Sequence, residues 1–170
     1  MRLGLLNNCK KMVQIGVIGA GAGGLCAARH ILATGNMKPI VWEQSERVGG
    51  TWVYNPDVGI DKHGLPIHSS MYKSLKTNLP KEVMAFPDFP FADSEKSFIH
   101  HKEVLRYLED YTEYFKIAEH IKFGHHVESV SPVIQAEGES PSWKVTVTDL
   151  ASKTTSTTTC EGLIVCNGFY

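Results

Sequence analysis

The run VQIGVIGAGAGGLCAARHIL, residues 13–32, constrains this chain more than any other stretch. A short β-branched segment, residues 14–19, ends at glycine, and small residues suited to a closely packed helix follow from about Ala22 to Ala33. A second apolar run, KPIVWE at residues 38–43, comes next. Strand, helix and strand in that order form a crossover that lays the two strands side by side and parallel.

Within the turn, Gly19, Gly21 and Gly24 make the spacing G-x-G-x-x-G, with Ala20, Ala22 and Gly23 between them. The first glycine permits the tight bend, the second lets a pyrophosphate reach the helix N-terminus, and the third lets helix and strand approach closely. Unpaired N–H groups and the helix dipole favour negative charge at that end. Glu43 lies about 20 residues past the last glycine, where a carboxylate accepts hydrogen bonds from a ribose. A glutamate also disfavours a 2′-phosphate, which leaves FAD or NAD, rather than NADP, as the first dinucleotide.

The remaining elements extend an α/β pattern. Residues 54–90 are rich in Pro, Gly, Asn and Asp, which predicts a long structured loop with short helical turns at most. Periodicity returns in HKEVLRYLEDYTEYFKI, where Val104, Leu105, Leu108, Tyr111 and Phe115 share one face of an amphipathic helix expected to sit on the sheet. IKFGHHVESVSPVI reads as one or two strands, WKVTVTD and TTSTTTCEG as an antiparallel hairpin, and GLIVCNG as a buried parallel strand.

At 170 residues the chain suits one domain. A net charge of −1, with acidic and basic residues interspersed, argues against nucleic acid or anionic lipid as a partner. Four scattered cysteines without a Cys-x-x-Cys pair suggest reduced thiols and a cytoplasmic location. Residues 1–12 read as a flexible leader too weakly apolar for a signal peptide, and no window is long and apolar enough to span a membrane. An endoplasmic-reticulum location would require an anchor beyond these residues.

A second glycine pair in EQSERVGGTW, residues 43–52, fits a chain that turns back beneath an extended dinucleotide. Here the sequence resembles the flavin-containing monooxygenase family. GAGAGGL, WEQSERVGGTW, SSMYKSLKTNLPKEVMAFPDFPF and LIVCNG follow one another in that family's order, from roughly Ile15 to Gly168, and the loop VYNPDVGIDKHGLPIHSS looks like that of insect, fungal and plant members.

The resemblance implies a Rossmann-like FAD-binding domain, residues 13–170, of the type that pairs two dinucleotide-binding domains, carrying an inserted loop region and a β-hairpin. It implies that residues 19–24 hold the FAD pyrophosphate, Glu43 the ribose and Gln44 the adenosine side, while Gly50, Thr51 and Trp52 meet the far side of the cofactor. Asn78 matches the family's asparagine beside the flavin ring, with Leu79 next to it and Thr77 on the side where the nicotinamide of NADPH stacks. Asn78 is the one expected catalytic residue, because an amide can hydrogen-bond a peroxy group without discharging it. In this family NADPH reduces the flavin, O2 adds to give a C4a-hydroperoxide, and one oxygen passes to an amine nitrogen or a sulfide sulfur.

Two features depart from the family. A second glycine fingerprint for NADPH does not occur in these residues, so the chain reads as an N-terminal part expected to be inactive alone; and Phe169 replaces a usual histidine. An NAD-binding dehydrogenase module and a non-catalytic truncated interaction partner are the alternatives. The pairs His100–His101 and His125–His126 do not converge as metal ligands, and the first pair is expected to be exposed at a helix start. Cys26 reads as close packing, and Phe86, Phe89 and Phe91 as a packed loop over the flavin.

Overall fold

Strand β1 (Val13–Ile18) runs into helix α1 (Ala22–Ala33) and back into β2 (Met37–Glu43). The two strands pair in parallel register from Val13 opposite Met37 to Ile18 opposite Trp42. The computed structural model describes residues 12–67, 69, 71–134 and 140–168, so most of the expected leader and Phe169 lie outside the described residues. After a single 3-10 turn (Gly50–Trp52), the loop region carries only a two-stranded ribbon, β3 (Gly59–Ile60) with β4 (Pro66–Ile67), and the one-turn helix α2 (Lys81–Met84).

Helix α3 (His101–Tyr114) follows. Its start is set by a capping box in which His100 Nδ1 accepts from the Lys102 N–H while Glu103 accepts from the His100 N–H at 2.9 Å. Then come β5 (Ile121–Phe123), β6 (His125–Val133), β7 (Ser142–Asp149), β8 (Thr154–Cys160) and β9 (Gly162–Val165). IKFGHHVESVSPVI is therefore two strands in different sheets, because Gly124 at φ +65° turns the chain between them. Strands β5, β2, β1 and β9 form one parallel sheet in that order, and β6, β7 and β8 an antiparallel one.

The period of two along β2 separates two cores. Val41 points to the helices and joins Val17, Leu25, Ala28, Tyr107, Leu108 and Tyr111. Ile40 and Trp42 point the other way, against Val145, Val147 and Cys160 of the antiparallel sheet. The chain is thus three layers: helices, parallel sheet, antiparallel sheet. Helix α3 reaches the sheet by packing on α1 and on the turn at residues 50–52, and its buried face shares the core that contains Val17 and Val41.

Strand β9 departs from expectation. It lies at the edge of the parallel sheet beside β1, and Ile164 and Val165 are 37% and 62% exposed. An apolar run forms a buried parallel strand only where neighbours cover both faces, and the tip of β9 lacks that cover here.

Candidate functional site

The end of β1 and the mouth of α1 meet in a bend that only glycine allows. Gly19 adopts φ +97°, and a Cβ there would stand 2.6 Å from the Cys166 carbonyl oxygen at the end of β9. A Cβ on Gly24 would stand 1.9 Å from the carbonyl oxygen of Gly19, so helix and strand touch backbone to backbone. Helix α1 opens at Gly21 with no side-chain cap and no acidic residue in its first turn, and Gly23 is exposed. The positive end of the helix is therefore left for an external anion.

Two further segments close on this bend. Glu43, only 8% exposed, accepts from the Ala20 N–H through Oε2 at 2.7 Å and from the Ser45 N–H through Oε1 at 2.8 Å. Among the described residues it makes no ion pair. Each carboxylate oxygen keeps lone-pair capacity for a sugar hydroxyl. The Ala20 carbonyl accepts from the Gly49 N–H at 3.0 Å, which brings the second glycine pair under the first. A Cβ on Gly50 would lie 3.0 Å from the Gly21 Cα, so the two bare backbones form one floor.

Next to that floor, Thr51 is exposed, while Trp52 is half-buried against the helical core and donates its N–H to the Gly49 carbonyl at 3.1 Å. Gln44 is exposed at the tip of β2, where His126 Nδ1 meets its Oε1 at 2.9 Å. The sequence gives no local signal for that contact, since 82 positions separate the two residues.

The segment at residues 77–79 is held by different partners. Thr77 is buried; its N–H donates to the Ile99 carbonyl at 2.8 Å and its Oγ1 accepts from the Ile99 N–H at 3.1 Å. Asn78 and Leu79 are exposed. Their turn is anchored by Lys81, which sequence reasoning missed. It is 5% exposed, and its Nζ donates to the Ala92 carbonyl and to Ser94 Oγ, both at 2.7 Å. A lysine before an apolar helical turn gives no hint of burial; only the returning loop at residues 92–97 supplies the acceptors. Helix α3 links the two halves of the site, because Leu105 packs where a Gly49 side chain would be and Ile99 lies just before its cap.

One expectation about a neighbouring side chain is corrected. His101 is 1% exposed rather than solvent-facing, since Tyr54 packs on its ring and its Nε2 meets the Lys73 carbonyl at 3.3 Å. His100 Nε2 meets the same carbonyl at 3.1 Å. Phe86, Phe89 and Phe91 form a packed loop against helix α3. Phe91 stacks on Tyr107 at 3.8 Å between centroids, Phe86 lies 4.6 Å from Tyr111, and Phe89 sits among Tyr107, Tyr111, Tyr114 and Phe115. The Cys26 thiol is held above its ordinary range by burial, reinforced by Asp88, which suits the packing role expected of it. His125 Nδ1 meets the Phe123 carbonyl at 2.7 Å, so the second histidine pair diverges.

A glycine bend under an uncapped helix, a neighbouring carboxylate and a bare-backbone floor define a dinucleotide-binding α/β domain of the Rossmann type. The chain belongs to the flavin-binding monooxygenase-like family, which it matches over residues 10–170. It is 40% identical to flavin-containing monooxygenase FMO GS-OX-like 4 of Arabidopsis thaliana over 92% of its own length, and spans 37% of that relative. It is also 40% identical to the putative flavin-containing monooxygenase FMO GS-OX-like 11 of the same plant, spanning 89% of that protein. Among solved structures, the S-allyl-L-cysteine S-oxygenase of Allium sativum superposes with a TM-score of 0.78 at 33% identity, covering 91% of this chain and 36% of that one. Tmm from Pelagibacter gives 0.79 at 29% identity, with the same coverage.

Proposed function

We propose that this chain is the FAD-binding part of a monooxygenase that uses NADPH and O2 to oxygenate a soft nucleophile, a sulfide or a tertiary amine, with residues 13–170 acting as one FAD domain. The observation that carries the reading is the uncapped mouth of α1, with Glu43 already tied to the adjoining Ala20 amide. A Cβ at Gly19 or Gly24 would collide with backbone, and the floor of Gly21 and Gly50 has no side chain to block an extended ligand. These residues fit a dinucleotide.

In this reading the Ala20 N–H is taken by Glu43, the backbone N–H groups of residues 21–24 hold the pyrophosphate, Glu43 the ribose, and Gln44 the base side. Thr51 and Trp52 meet the half of the cofactor nearer the ring. The bound flavin supplies hydride acceptance and oxygen activation. Thr77 fixes the turn through Ile99, so that the exposed Asn78 amide can orient the reacting atoms and Leu79 can exclude water. An amide serves this task because it hydrogen-bonds without delivering an acidic proton. The likeness to a sulfur-oxygenating enzyme of Allium sativum supports a sulfide over an amine. The cytoplasmic location is kept, supported by Cys26, Cys160 and Cys166, all free thiols.

Because a second glycine fingerprint is absent from these residues, the chain by itself is expected to bind flavin yet fail to consume NADPH with a sulfide present. The visible spectrum of the purified chain tests the reading. Flavin bands that survive gel filtration support it, and a colourless protein that takes up no added FAD overturns it. Steady NADPH turnover by the isolated chain would overturn the inactivity alone.

A further inference from the structure

We infer that two copies of this chain associate edge to edge through β8, across a two-fold axis at Thr157, so that their antiparallel sheets become one. The inference does not depend on the FAD reading. The three-stranded sheet ends in β6 on one side and in β8 on the other. An outermost strand presents a row of N–H and C=O groups to any chain that comes alongside, unless something blocks it. Strand β6 is blocked. Its Pro132 lacks an N–H, and the register shift between Val127 and Ser129 makes a bulge at the exposed Glu128. Strand β8 has none of these guards. Thr154–Cys160 contains no proline and no charge, and it keeps an unbroken register with β7, from Thr154 opposite Asp149 to Cys160 opposite Trp143. Its β-branched threonines favour the extended backbone, and residues 154–157 and 159 are exposed. Among the described residues no strand but β7 pairs with it.

The charges at the two ends of β8 select a second copy of this chain over a foreign strand. Lys153 stands just before the strand and Glu161 just after it, each four residues from Thr157. When two such strands run antiparallel with Thr157 opposite its own copy, Lys153 faces Glu161 of the partner subunit at both ends at once. Any other register takes these charges out of opposition. Glu161 is held in place by the Gln14 N–H, which donates to its Oε2 at 3.0 Å, and a carboxylate accepts several hydrogen bonds together. Between the charges, Thr155 meets Thr159 of the partner subunit. Threonine hydroxyls bond across strands, as those of Thr148 and Thr155 do within the hairpin at 2.8 Å. A two-fold pairing closes on itself, so the assembly stops at a dimer; β8 meeting β6 would instead run on without end.

Sedimentation velocity of the full chain between about 1 and 100 μM reads the association. The wild type is expected to pass from monomer to dimer within that range, as suits a single edge contact of modest area. Thr157→Lys sets two ammonium groups against each other on the axis and weakens the dimer at least about tenfold, while the neutral, β-branched Thr157→Val stays within about threefold of wild type. Lys153→Glu also weakens it, and decides the matter if Thr157→Lys fails to fold. Mixing Lys153→Glu chains with Glu161→Lys chains restores a dimer, because each strand end then faces its opposite charge again. A wild type that stays monomeric throughout overturns the inference, even if β8 takes up an extended peptide instead. So does a dimer indifferent to both Thr157→Lys and Lys153→Glu, a mixture of the two folded charge variants that does not recover, or a ladder of species beyond the dimer.

Discussion

Tyr107 and Tyr111 stand one turn apart on helix α3, both buried, yet removing the same oxygen atom from each is expected to have opposite effects. The Tyr107 hydroxyl accepts from the Phe86 N–H at 2.7 Å and donates to the Phe89 carbonyl at 2.6 Å, closing the Phe86–Phe89 turn onto the helix. Tyr107→Phe removes both bonds and leaves a partly buried donor and acceptor unpaired, a loss of about 2 to 4 kcal/mol. The Tyr111 hydroxyl is fully buried and finds no hydrogen-bond partner among the described residues. Burial, with Asp88 nearby, holds its proton firmly on, well above the ordinary tyrosine range. Tyr111→Phe therefore removes an unsatisfied polar atom and is expected to gain about 1 kcal/mol. For a domain of this size the two variants should melt on the order of 10 °C apart. Urea denaturation followed by far-UV circular dichroism measures the difference. Midpoints that coincide, or a Tyr111→Phe variant weaker than Tyr107→Phe, would refute the hydrogen-bond reasoning.

Gly24→Ala places a methyl group 1.9 Å from the Gly19 carbonyl oxygen, and should cost at least about 3 kcal/mol and abolish flavin retention; a yellow, normally stable variant would contradict the close approach. His100→Ala should lose about 1 kcal/mol by uncapping α3, while His100→Asn keeps an N-cap acceptor and stays within a few tenths of wild type. Thermal melts that fail to rank the two in that order would count against the cap. Burial raises the thiols of Cys26, Cys160 and Cys166 in the folded chain. The unfolded chain then loses those protons first, so the stabilisation is complete below the ordinary thiol value of about 8.5 and fades as pH climbs through the higher folded values. Denaturant midpoints measured from pH 7 to 10 should fall across that window, and a flat profile would contradict the shifts.

What the sequence made legible is what local chemistry decides. The β1–α1–β2 unit appears within one residue of its expected bounds, because a β-branched run, a glycine bend and a small-residue helix each signal themselves. The same spacing set Glu43 at the end of β2, and the fold adds its bond to the Ala20 amide. What stayed hidden depends on chain arriving from elsewhere. His101 is buried only because Tyr54 and Lys73 fold over it, and Lys81 only because residues 92–97 return to bond it. GLIV is the same four letters in the middle of a sheet or at its margin; nothing within it reveals that β1 is its partner on one side alone. The three phenylalanines could not announce that Tyr107 and Tyr111 were their neighbours, since that pairing depends on where α3 docks.

The peptide of Ala20 is gripped from both ends, its amide by Glu43 and its carbonyl by Gly49. Acid, first bend and second bend are thus one mechanical piece. Hydrogen bonds within the chain itself tie these loops together, so a nucleotide is expected to dock with little change in the circular dichroism of the host.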